Sequence, residues 1–544
     1  MHKYNTTLFS TKGPSMLNWN GKKSLDNIKG SDVQLVEYLG SFNKNNISNI
    51  PNYNNLKDNW HNLLFHGDNK DILATLLDNG FRNKIDLIYI DPPFNSGKNY
   101  MRKIKLRGYT KNIPSFIQKT YSDIWNNDNY LQFMYERLLL LKELLSETGS
   151  IYVHLDHHIV HYVKLLMDEI FGQENFRNEI IWRRQIPRGM KAHAKFFPFS
   201  AEYILLYSKS EEAIWNPPVK ENKITLEEAE KKYMKDEKGF FRTSDPGTYS
   251  FESLLKLYKK GRLYAPYDGK IIIDKEKKTI KASKGNLAVK YYRRQEKNFI
   301  IEEQPVDNIW DDIPGLGIIS SKWIGFQTQK PEALLERIIK ASSNPDDIVL
   351  DCFIGSGTTA AVAQKLGRRW IACDLNKGAI QLTSKRLQRI IKNQISDKTS
   401  GKQLELGKET SFPKYTSFAI YANTSMSNSI QESNKIKLSI KRIDTTKCKI
   451  VIEDFISPTI IEKLNMDIES FKTKIPDFRS IIDTVLIDND YDGQIFHIVY
   501  SDIPQKNYEV IDGEYEIEIP ENKTVVAVKI IDILGNETIV TEEI

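Results

Sequence analysis

A chain of 544 residues is too long for one ordinary hydrophobic core, so its length predicts two or three domains. Charged residues make up 27% and no apolar run is long enough to span a bilayer, which leads us to expect a soluble, cytoplasmic protein with no membrane partner. The three cysteines lack the spacing of zinc ligands, so neither a disulfide framework nor a structural metal site is predicted.

The net charge of +6 hides an uneven distribution. Residues 451–544 hold 7 Lys and Arg against 21 Asp and Glu, a net charge of −14, which leaves +20 for residues 1–450. An excess of this size is typical of a segment that binds a polyanion, and the acidic segment is not expected to do so. Two merely solubilising surfaces would explain the total charge but not its segregation.

The first elements predict a parallel sheet. Residues 1–60 are polar and rich in asparagine, which indicates an arm or linker. After it, Leu63–Phe65 predicts a strand, Asp71–Leu77 has helical spacing, and Ile85–Ile90 predicts a buried strand. A strand, a helix and a strand in this order form a βαβ unit, whose strands are parallel.

Two consecutive prolines end that last strand in the run Asp91-Pro92-Pro93-Phe94, because proline cannot donate a backbone hydrogen bond to a neighbouring strand. The loop is therefore stiff, and it holds a carboxylate and a phenyl ring a fixed distance apart. Such a loop can bind a flat ring that carries an amino group, with Asp91 accepting an N–H and Phe94 stacking. A plain surface turn after a core strand explains the run equally well.

The next stretch is basic. Residues 95–120 show no clear periodicity and mix cations, among them Lys98, Arg102 and Lys103, with aromatic rings. That mixture suits a loop that contacts nucleic acid, although a solvated basic loop has the same composition. A helix is predicted from Tyr130 to Glu147.

Strand Ser150–Leu155 follows and ends in a histidine-rich segment at 154–161. No acidic partner stands there at a recognised metal-motif spacing, so no metal is predicted. A helix over 160–170 and a strand at Ala201–Tyr207 complete this part of the alternation.

Residues 208–308 break the alternation of strands and helices and are predicted to be an inserted module. Cations and rings recur there, as in the run Tyr291-Tyr292-Arg293-Arg294, and they are expected to lie along a duplex. Arg183 and Arg184, upstream, are expected to border the same surface. A basic structural insertion without a ligand remains the alternative.

The alternation resumes over residues 309–395, where a strand leads into Gly355-Ser356-Gly357 and a helix. Glycines in such a turn let the backbone approach a ligand, and the helix N–H groups point toward it. Asp374 ends the following strand about 20 residues downstream, where an acidic side chain can bind ribose hydroxyls. Without the third glycine of the dinucleotide fingerprint or the lysine of a phosphate loop, the turn favours an adenosine-containing cofactor over NAD or ATP. Residues 396–434 are predicted to be a linker, and residues 435–544 an acidic, β-rich domain.

Three runs resemble motifs of amino-group DNA methyltransferases that use S-adenosylmethionine: Asp91–Phe94, Phe353–Thr359 and Thr328–Glu332. Their order, with the catalytic loop before the insert and the cofactor turn after it, is similar to that of the β group, which includes type III modification subunits. The resemblance divides the enzyme into a catalytic half at 61–207 and a cofactor-binding half at 309–395. It implies a Rossmann-like, doubly wound, mostly parallel α/β fold with an inserted recognition module and a small β-rich terminal domain.

The resemblance also implies residue roles. Asp91 and the carbonyl of Pro92 would bind the amino hydrogens of the target base, Pro93 would complete the loop, and Phe94 would stack on the flipped base. The family often has tyrosine in place of Phe94, so stacking is kept while a hydroxyl hydrogen bond is lost. The implied cofactor-binding residues are Asp68, Lys330, Pro331, Asp351, Phe353, Gly355, Ser356, Gly357, Thr358 and Asp374.

These features predict methylation of adenine N6 at specific sites in double-stranded DNA, with base flipping, in a restriction-modification or related system. Cytosine N4 is the alternative target, but family members that act on it usually carry serine at the position of Asp91. The order of the motifs argues against methylation of RNA or of a protein glutamine. The intact motifs argue against a non-catalytic DNA-binding specificity subunit. A homodimer and a separate restriction subunit are family expectations.

Overall fold

A computed structural model of the chain describes residues 17–25, 29–40, 51–109, 115–123, 125–186, 195–317, 324, 326, 328–399, 415–424 and 434–544. The chain divides into two compact units. One consists of Met1–Asn216 together with Asn308–Ile544, and the other is Pro217–Asp307. Among the described residues, no helix is both long and apolar enough to cross a bilayer.

The first segment of the larger unit alternates strands and helices. Its strands are β1 (Val33–Leu39), β2 (Asn62–His66), β3 (Ile85–Ile90), β4 (Lys98–Lys105), β5 (Ser115–Asp123), β6 (Leu145–Leu155), β7 (Phe176–Arg183) and β8 (Ala201–Ser208). Its helices are α1 (Tyr53–Leu56), α2 (Asn69–Asp78), α3 (Asn127–Leu144) and α4 (Val160–Phe171). Helix α3 ends three residues before the predicted Glu147, because Leu145 already pairs with Ile85 as part of β6.

The smaller unit contains short antiparallel sheets and two helices. Its elements are β9 (Val219–Thr225), α5 (Leu226–Lys232), β10 (Met234–Asp236), β11 (Gly239–Ser244), α6 (Phe251–Lys259), β12 (Leu263–Tyr264), β13 (Ile271–Asp274), β14 (Thr279–Ala282), β15 (Ala288–Tyr292), β16 (Arg294–Glu296) and β17 (Phe299–Pro305). Within the described residues these strands pair as β10-β11-β15-β12, β13-β14 and β16-β17-β9. Leu254, Leu263 and Val289 form part of its core.

The second segment of the larger unit begins with another alternation. It comprises β18 (Ile309–Trp310), α7 (Glu332–Ser342), β19 (Ile348–Asp351), α8 (Thr358–Lys365), β20 (Arg369–Asp374), α9 (Lys377–Thr399) and β21 (Phe418–Asn423). The rest is mainly β structure: β22 (Lys435–Arg442), β23 (Lys447–Ile456), α10 (Pro458–Lys463), α11 (Ile468–Lys474), β24 (Ile482–Asp488), β25 (Phe496–Ile498), β26 (Tyr500–Asp502), β27 (Glu514–Glu518), β28 (Val525–Asp532) and β29 (Glu537–Glu543).

The described part of the larger unit is built on one sheet with the strand order β18-β7-β8-β6-β3-β19-β20-β2-β21-β1-β25. The strands from β6 to β21 run parallel, and β8 is antiparallel to both β6 and β7. Leu87, Ile88 and Ile90 of β3 are fully buried, as expected for a central strand covered on both faces. The predicted doubly wound, mostly parallel α/β fold is confirmed.

Three polar segments contain strands that the sequence did not predict. Strand β1 lies within the expected N-terminal arm, and β21 lies within the expected linker at 396–434, yet the two pair in the main sheet. The interpretation of residues 95–120 as a loop is wrong for β4 and β5, which form an antiparallel hairpin. The strands in these three segments were missed because the residues around them are rich in Asn, Ser, Thr or Lys. Such surroundings obscure a short alternation of apolar residues.

The C-terminal region is joined to the rest of the larger unit. Strand β25 pairs with β1 at the edge of the main sheet. Ile104 and Leu106, at the end of β4, belong to the same hydrophobic core as Ile482 and Ile511. The backbone N–H of Arg107 also donates to the Ser480 carbonyl at 2.9 Å. The hairpin that follows the Asp91–Phe94 loop is therefore anchored in the C-terminal region.

Candidate active site

A cavity of about 570 Å³ opens at the carboxyl ends of the central strands. Asp91 follows β3, Asp351 ends β19, Asp374 ends β20, and Asp68 precedes α2, and all four carboxylates are in its wall. Ligands of open α/β sheets bind at this edge, because the loops after neighbouring parallel strands converge there. The sheet therefore brings together acidic residues that are far apart in the sequence.

Most of the predicted catalytic and cofactor residues share this cavity. The wall includes Asp68, Asp91, Pro93, Lys330, Asp351, Phe353, Gly355, Ser356, Thr358 and Asp374. Pro92, Phe94, Pro331 and Gly357 are outside the wall but adjoin wall residues in the chain.

The glycine turn has the backbone shape that requires glycine. Gly355 has φ +50° and Gly357 has φ +74°, both in the left-handed region. A Cβ on Gly357 would also lie 2.7 Å from Oγ1 of Thr383. The N–H of Gly355 donates to Asp374 at 2.9 Å, so the turn is tied to the next strand. Helix α8 begins immediately after the turn and faces the cavity with Thr358.

Asp351 and Asp374 are carboxylates held in a poorly solvated position. Thr359 Oγ1 donates to Asp351 at 2.6 Å, and the N–H of Phe353 donates to it at 2.9 Å. Burial raises the pKa of Asp351 to about 7 and raises the pKa of Asp374 above its ordinary value. A cationic ligand beside Asp351 would be attracted strongly, because it would relieve the cost of an isolated buried charge.

Asp68 is held by an arginine that the sequence analysis missed. The Arg137 guanidinium donates to both oxygens of Asp68, at 2.9 and 3.3 Å, and to Oδ1 of Asn69 at 2.5 Å. It also lies 3.7 Å from the ring centroid of Phe133. Arg137 is in the middle of α3. From the sequence alone, an arginine in a helix is expected to be exposed to solvent. Its position in the wall became visible only in the fold.

Lys330 is in the cavity wall and contacts the Asp91–Phe94 loop. Its Nζ lies 3.0 Å from Oδ1 and 2.8 Å from Oδ2 of Asp91. It is also 5.1 Å from the ring centroid of Phe94. Burial lowers the pKa of Lys330, but the nearby carboxylates of Asp91 and Glu202 raise it by more. The lysine expected at the cofactor margin thus forms a largely buried ion pair with Asp91.

A buried polar network extends from this ion pair. Glu202 Oε2 is 3.6 Å from Lys330 Nζ and 2.9 Å from His154 Nε2, and His154 Nδ1 is 2.8 Å from the hydroxyl of Tyr89. Arg184 pairs with the other oxygen of Glu202. Burial raises the pKa of Glu202, but Lys330 and His154 lower it by more, so the pKa lies well below its usual range. The sequence offers one sign that Glu202 belongs to a site, because it is a carboxylate within the apolar strand β8.

The residues predicted to bind DNA make different contacts. Lys98, Arg102 and Lys103 are in β4, and their side chains are outside the described part of the structure. Arg183 pairs with Asp311 at 2.8 Å, Arg294 pairs with Glu221, and the guanidinium of Arg293 lies 5.1 Å from the ring of Tyr233. DNA binding by these residues stays a prediction.

One group of three potential metal ligands occurs among the described residues. Ligand atoms of Asp156, His157 and His158 lie within 4.8 Å of one another. His158 Nδ1 is already hydrogen bonded to Asp156 at 2.7 Å, and the ring of His157 stacks on Phe199 at 3.6 Å. These contacts account for the cluster without an ion, and no metal site is assigned there.

Comparison with known proteins identifies the family. A family model described as DNA methylase matches residues 85–385, which is more than half of the chain. The chain belongs to the DNA methylase family. The resemblance based on the three motifs is therefore confirmed.

Three named relatives of this DNA methylase are similar to it. Type II methyltransferase M.EcaI of Enterobacter cloacae is 31% identical over 357 residues, covering 63% of this chain and 74% of that protein. The Type III restriction-modification enzyme StyLTI Mod subunit of Salmonella typhimurium is 28% identical over 360 residues, covering 59% of this chain and 53% of that protein. DNA adenine methyltransferase YhdJ of Escherichia coli (strain K12) is 26% identical over 303 residues, covering 56% of this chain and 76% of that protein. The chain spans about half the length of the StyLTI relative.

The cavity of this DNA methylase fits S-adenosylmethionine. Its volume of about 570 Å³ is within the common range for small-molecule sites. The ligand carries sulfonium and ammonium cations, and the wall offers Asp68, Asp351 and Asp374. Phe133 and Phe353 provide apolar surface for an adenine ring. A Cβ on Gly355 would come within 3.4 Å of the Phe326 ring and narrow the same space.

Proposed function

We propose that this DNA methylase transfers the methyl group of S-adenosylmethionine to the exocyclic N6 amino group of adenine in double-stranded DNA. The observation that carries the proposal is one cavity whose wall contains both Asp91 and the glycine turn with Asp351. An acceptor for the target amino hydrogens therefore lies beside the surface expected to hold the methyl donor. Such proximity accounts for much of the rate of a transfer reaction.

The chemistry follows from the properties of an aromatic amine. Its lone pair is delocalised into the ring, which makes it a poor nucleophile. The Asp91 carboxylate and the Pro92 carbonyl would each accept one amino hydrogen and favour the pyramidal form, whose lone pair is available. S-adenosylmethionine, when bound, supplies an electrophilic methyl group. The protein then contributes mainly orientation and electrostatic stabilisation.

The Lys330 ammonium is part of this arrangement. It contacts both oxygens of Asp91 at 2.8 to 3.0 Å and compensates the charge of the carboxylate in a buried position. The target amino group would have to share these oxygens with Lys330. Glu202 is the neighbouring carboxylate and offers Lys330 a second partner at 3.6 Å.

The target base must leave the duplex to reach Asp91, because its amino group is paired inside the stack. Phe94 would stack on the extruded ring. The cations of β4 and Arg183, in the larger unit, would bind phosphates of the duplex. Arg293 and Arg294, in the smaller unit, are proposed by themselves as phosphate contacts.

Two observations favour adenine over cytosine. Asp91 occupies the position at which family members acting on cytosine N4 usually carry serine. YhdJ, a relative that aligns over 76% of its own length, is named a DNA adenine methyltransferase. Methylation of cytosine N4 is the second candidate.

The biological setting is also proposed from relatives. M.EcaI is named a type II methyltransferase, and the StyLTI relative is named a Mod subunit of a type III restriction-modification enzyme. We extend the modification role to this chain, with a separate restriction subunit and a second copy of the chain as its protein partners. The match to about half of the StyLTI subunit supports the shared methylase part of that role.

The decisive experiment incubates the protein with tritiated S-adenosylmethionine and unmethylated duplex DNA and then separates the nucleosides. Label is expected in N6-methyladenine. Label in N4-methylcytosine, or in no nucleoside, would contradict the proposal. Asp91→Ala is expected to abolish transfer while S-adenosylmethionine binding, measured by calorimetry, stays within about twofold of the wild type, because Asp91 is assigned to the base. Retained transfer would remove Asp91 from this role.

A further inference from the structure

A buried carboxylate outside the cavity wall holds the catalytic loop. Asp123 is the last residue of β5, and its side chain is 0% exposed. The carboxylate accepts the backbone N–H groups of Phe94 at 3.2 Å, Asn95 at 2.8 Å and Ser96 at 2.9 Å. It also accepts the hydroxyl of Ser96 at 2.6 Å. Four donors from three consecutive residues thus converge on one side chain.

This arrangement fixes the backbone immediately after the two prolines. Three successive N–H groups that point to one place form an anion-binding concavity, which an ionised carboxylate fills well. Asn95 has φ +54°, a left-handed conformation that persists where surrounding bonds hold it. Asp123 also accepts with its backbone, since the N–H of Gly97 donates to its carbonyl at 2.9 Å. The polypeptide from Phe94 to Gly97 is therefore shaped around Asp123.

The other side of the loop is held by a different residue. The hydroxyl of Tyr130 donates to the Pro93 carbonyl at 2.7 Å. Asp91 and Pro93 are in the cavity wall, whereas Asp123 and Tyr130 are not. The loop residues that would contact the base are thus separated from the residues that hold the loop in place.

We propose that Asp123 is a positioning residue for methyl transfer and that it acts by fixing Phe94 relative to Asp91. The inference rests on the proposed function, in which Phe94 stacks on the target base. The backbone N–H of Phe94 is hydrogen bonded to the buried Asp123 carboxylate, which fixes the position from which the phenyl ring extends. A base stacked on that ring would then be presented to Asp91 in one orientation. Displacement of a reacting group by about 1 Å can reduce a rate by about 100-fold.

Asp123→Asn is the direct test, because it keeps the size of the side chain and changes its hydrogen bonding. An amide has one acceptor oxygen, and its NH₂ group would face N–H donors. We expect the rate of a single turnover, at saturating cofactor and duplex DNA, to fall by about 100-fold. The dissociation constant for S-adenosylmethionine should stay within about twofold, since Asp123 is outside the wall of the cavity.

A double-mutant cycle with Phe94→Ala separates positioning from general damage. If Asp123 acts through Phe94, the double variant should be no more than about threefold slower than the slower single variant, because residues that act as a unit are not additive. A merely structural role would multiply the two losses. Asp128→Asn, five residues later in the first turn of α3, is the matched control and should transfer at the wild-type rate.

Ser96→Ala keeps the test decisive if Asp123→Asn does not fold. It removes one of the four bonds, that of the hydroxyl at 2.6 Å, and should slow transfer by about tenfold with unchanged cofactor binding. A wild-type rate in either variant, multiplicative losses in the cycle, or a parallel loss of cofactor affinity would overturn the role of Asp123 while leaving the proposed function in place. A wild-type protein that transfers no methyl group to DNA would overturn both.

Discussion

Replacement of Asp351 by asparagine is expected to make the unliganded protein more stable at neutral pH. Burial raises the pKa of this carboxyl from its ordinary 3.8 to about 7. At about 1.4 kcal/mol per pH unit, that difference corresponds to about 4 kcal/mol between the two protonation states. Between about pH 4 and 7 the folded protein holds a proton that the unfolded chain has released. The free energy of unfolding therefore falls as pH rises through this window.

The Asp351→Asn variant would keep the local hydrogen bonds without the charge. The amide oxygen of its new side chain can accept the N–H of Phe353, and the NH₂ group can donate to the hydroxyl of Thr359. The variant should then become more stable than the wild type as pH rises. The difference between their free energies of unfolding should grow by up to about 4 kcal/mol and level off above about pH 7. If Asp351 is the carboxylate that pairs with the ammonium group of S-adenosylmethionine, the cofactor should bind more weakly to the variant above pH 7.

Denaturant unfolding at several pH values from about 4.5 to 8.5, together with calorimetric titration of S-adenosylmethionine, measures both effects. Asp268→Asn is the control: this aspartate is exposed and has φ +52°, a conformation that asparagine tolerates. A stability difference between Asp351→Asn and the wild type that stays constant with pH would refute the reasoning. So would stronger cofactor binding by the variant at about pH 8.

Two other variants test separate parts of the cavity. Lys330→Met should lower the free energy of unfolding by about 3 kcal/mol, because it leaves the partly buried carboxylate of Asp91 without its cation, while Glu202 keeps Arg184 and His154. Thermal unfolding near neutral pH measures this, and an unchanged transition would show that the ion pair contributes little. Gly357→Ala places a Cβ 2.7 Å from Thr383 Oγ1 at φ +74°. The conformation alone costs about 1 to 2 kcal/mol, so S-adenosylmethionine should bind at least about fivefold more weakly by calorimetry. Wild-type affinity would contradict the need for glycine there.

The central strands and the ends of the cavity loops could be predicted because their signals are local. Leu87, Ile88 and Ile90 form a continuous apolar run, which is what a strand buried on both faces requires. Asp91 stands directly after one such strand and Gly355 is in the loop after another, and parallel strands bring the following loops to one edge. The structure adds that β3 and β19 are neighbours, which places Asp91 and Gly355 in one wall.

The residues that support the cavity could not be predicted, because their function depends on distant partners. Arg137 acts through Asp68, which lies 69 positions away. Glu202 acts through His154, 48 positions away, on an antiparallel strand whose register the sequence does not specify. Asp123 ends a strand that was interpreted as part of a loop. In each case the residue type is ordinary for its local context, and only the tertiary contact gives it a role.

The attachment of the β4–β5 hairpin to the C-terminal region has a consequence for synthesis of the protein. Arg107 pairs with Asp483, and the two are 376 positions apart. At about 5 to 20 residues per second, the ribosome needs roughly 20 to 75 s to make the intervening chain. During that interval the apolar side chains of Ile104 and Leu106 lack the core that buries them in the finished protein. The surroundings of the Asp91–Phe94 loop are therefore completed only after the ribosome has made the region of Ile482 and Ile511, and a nascent chain that stops before this region lacks the core that supports the hairpin.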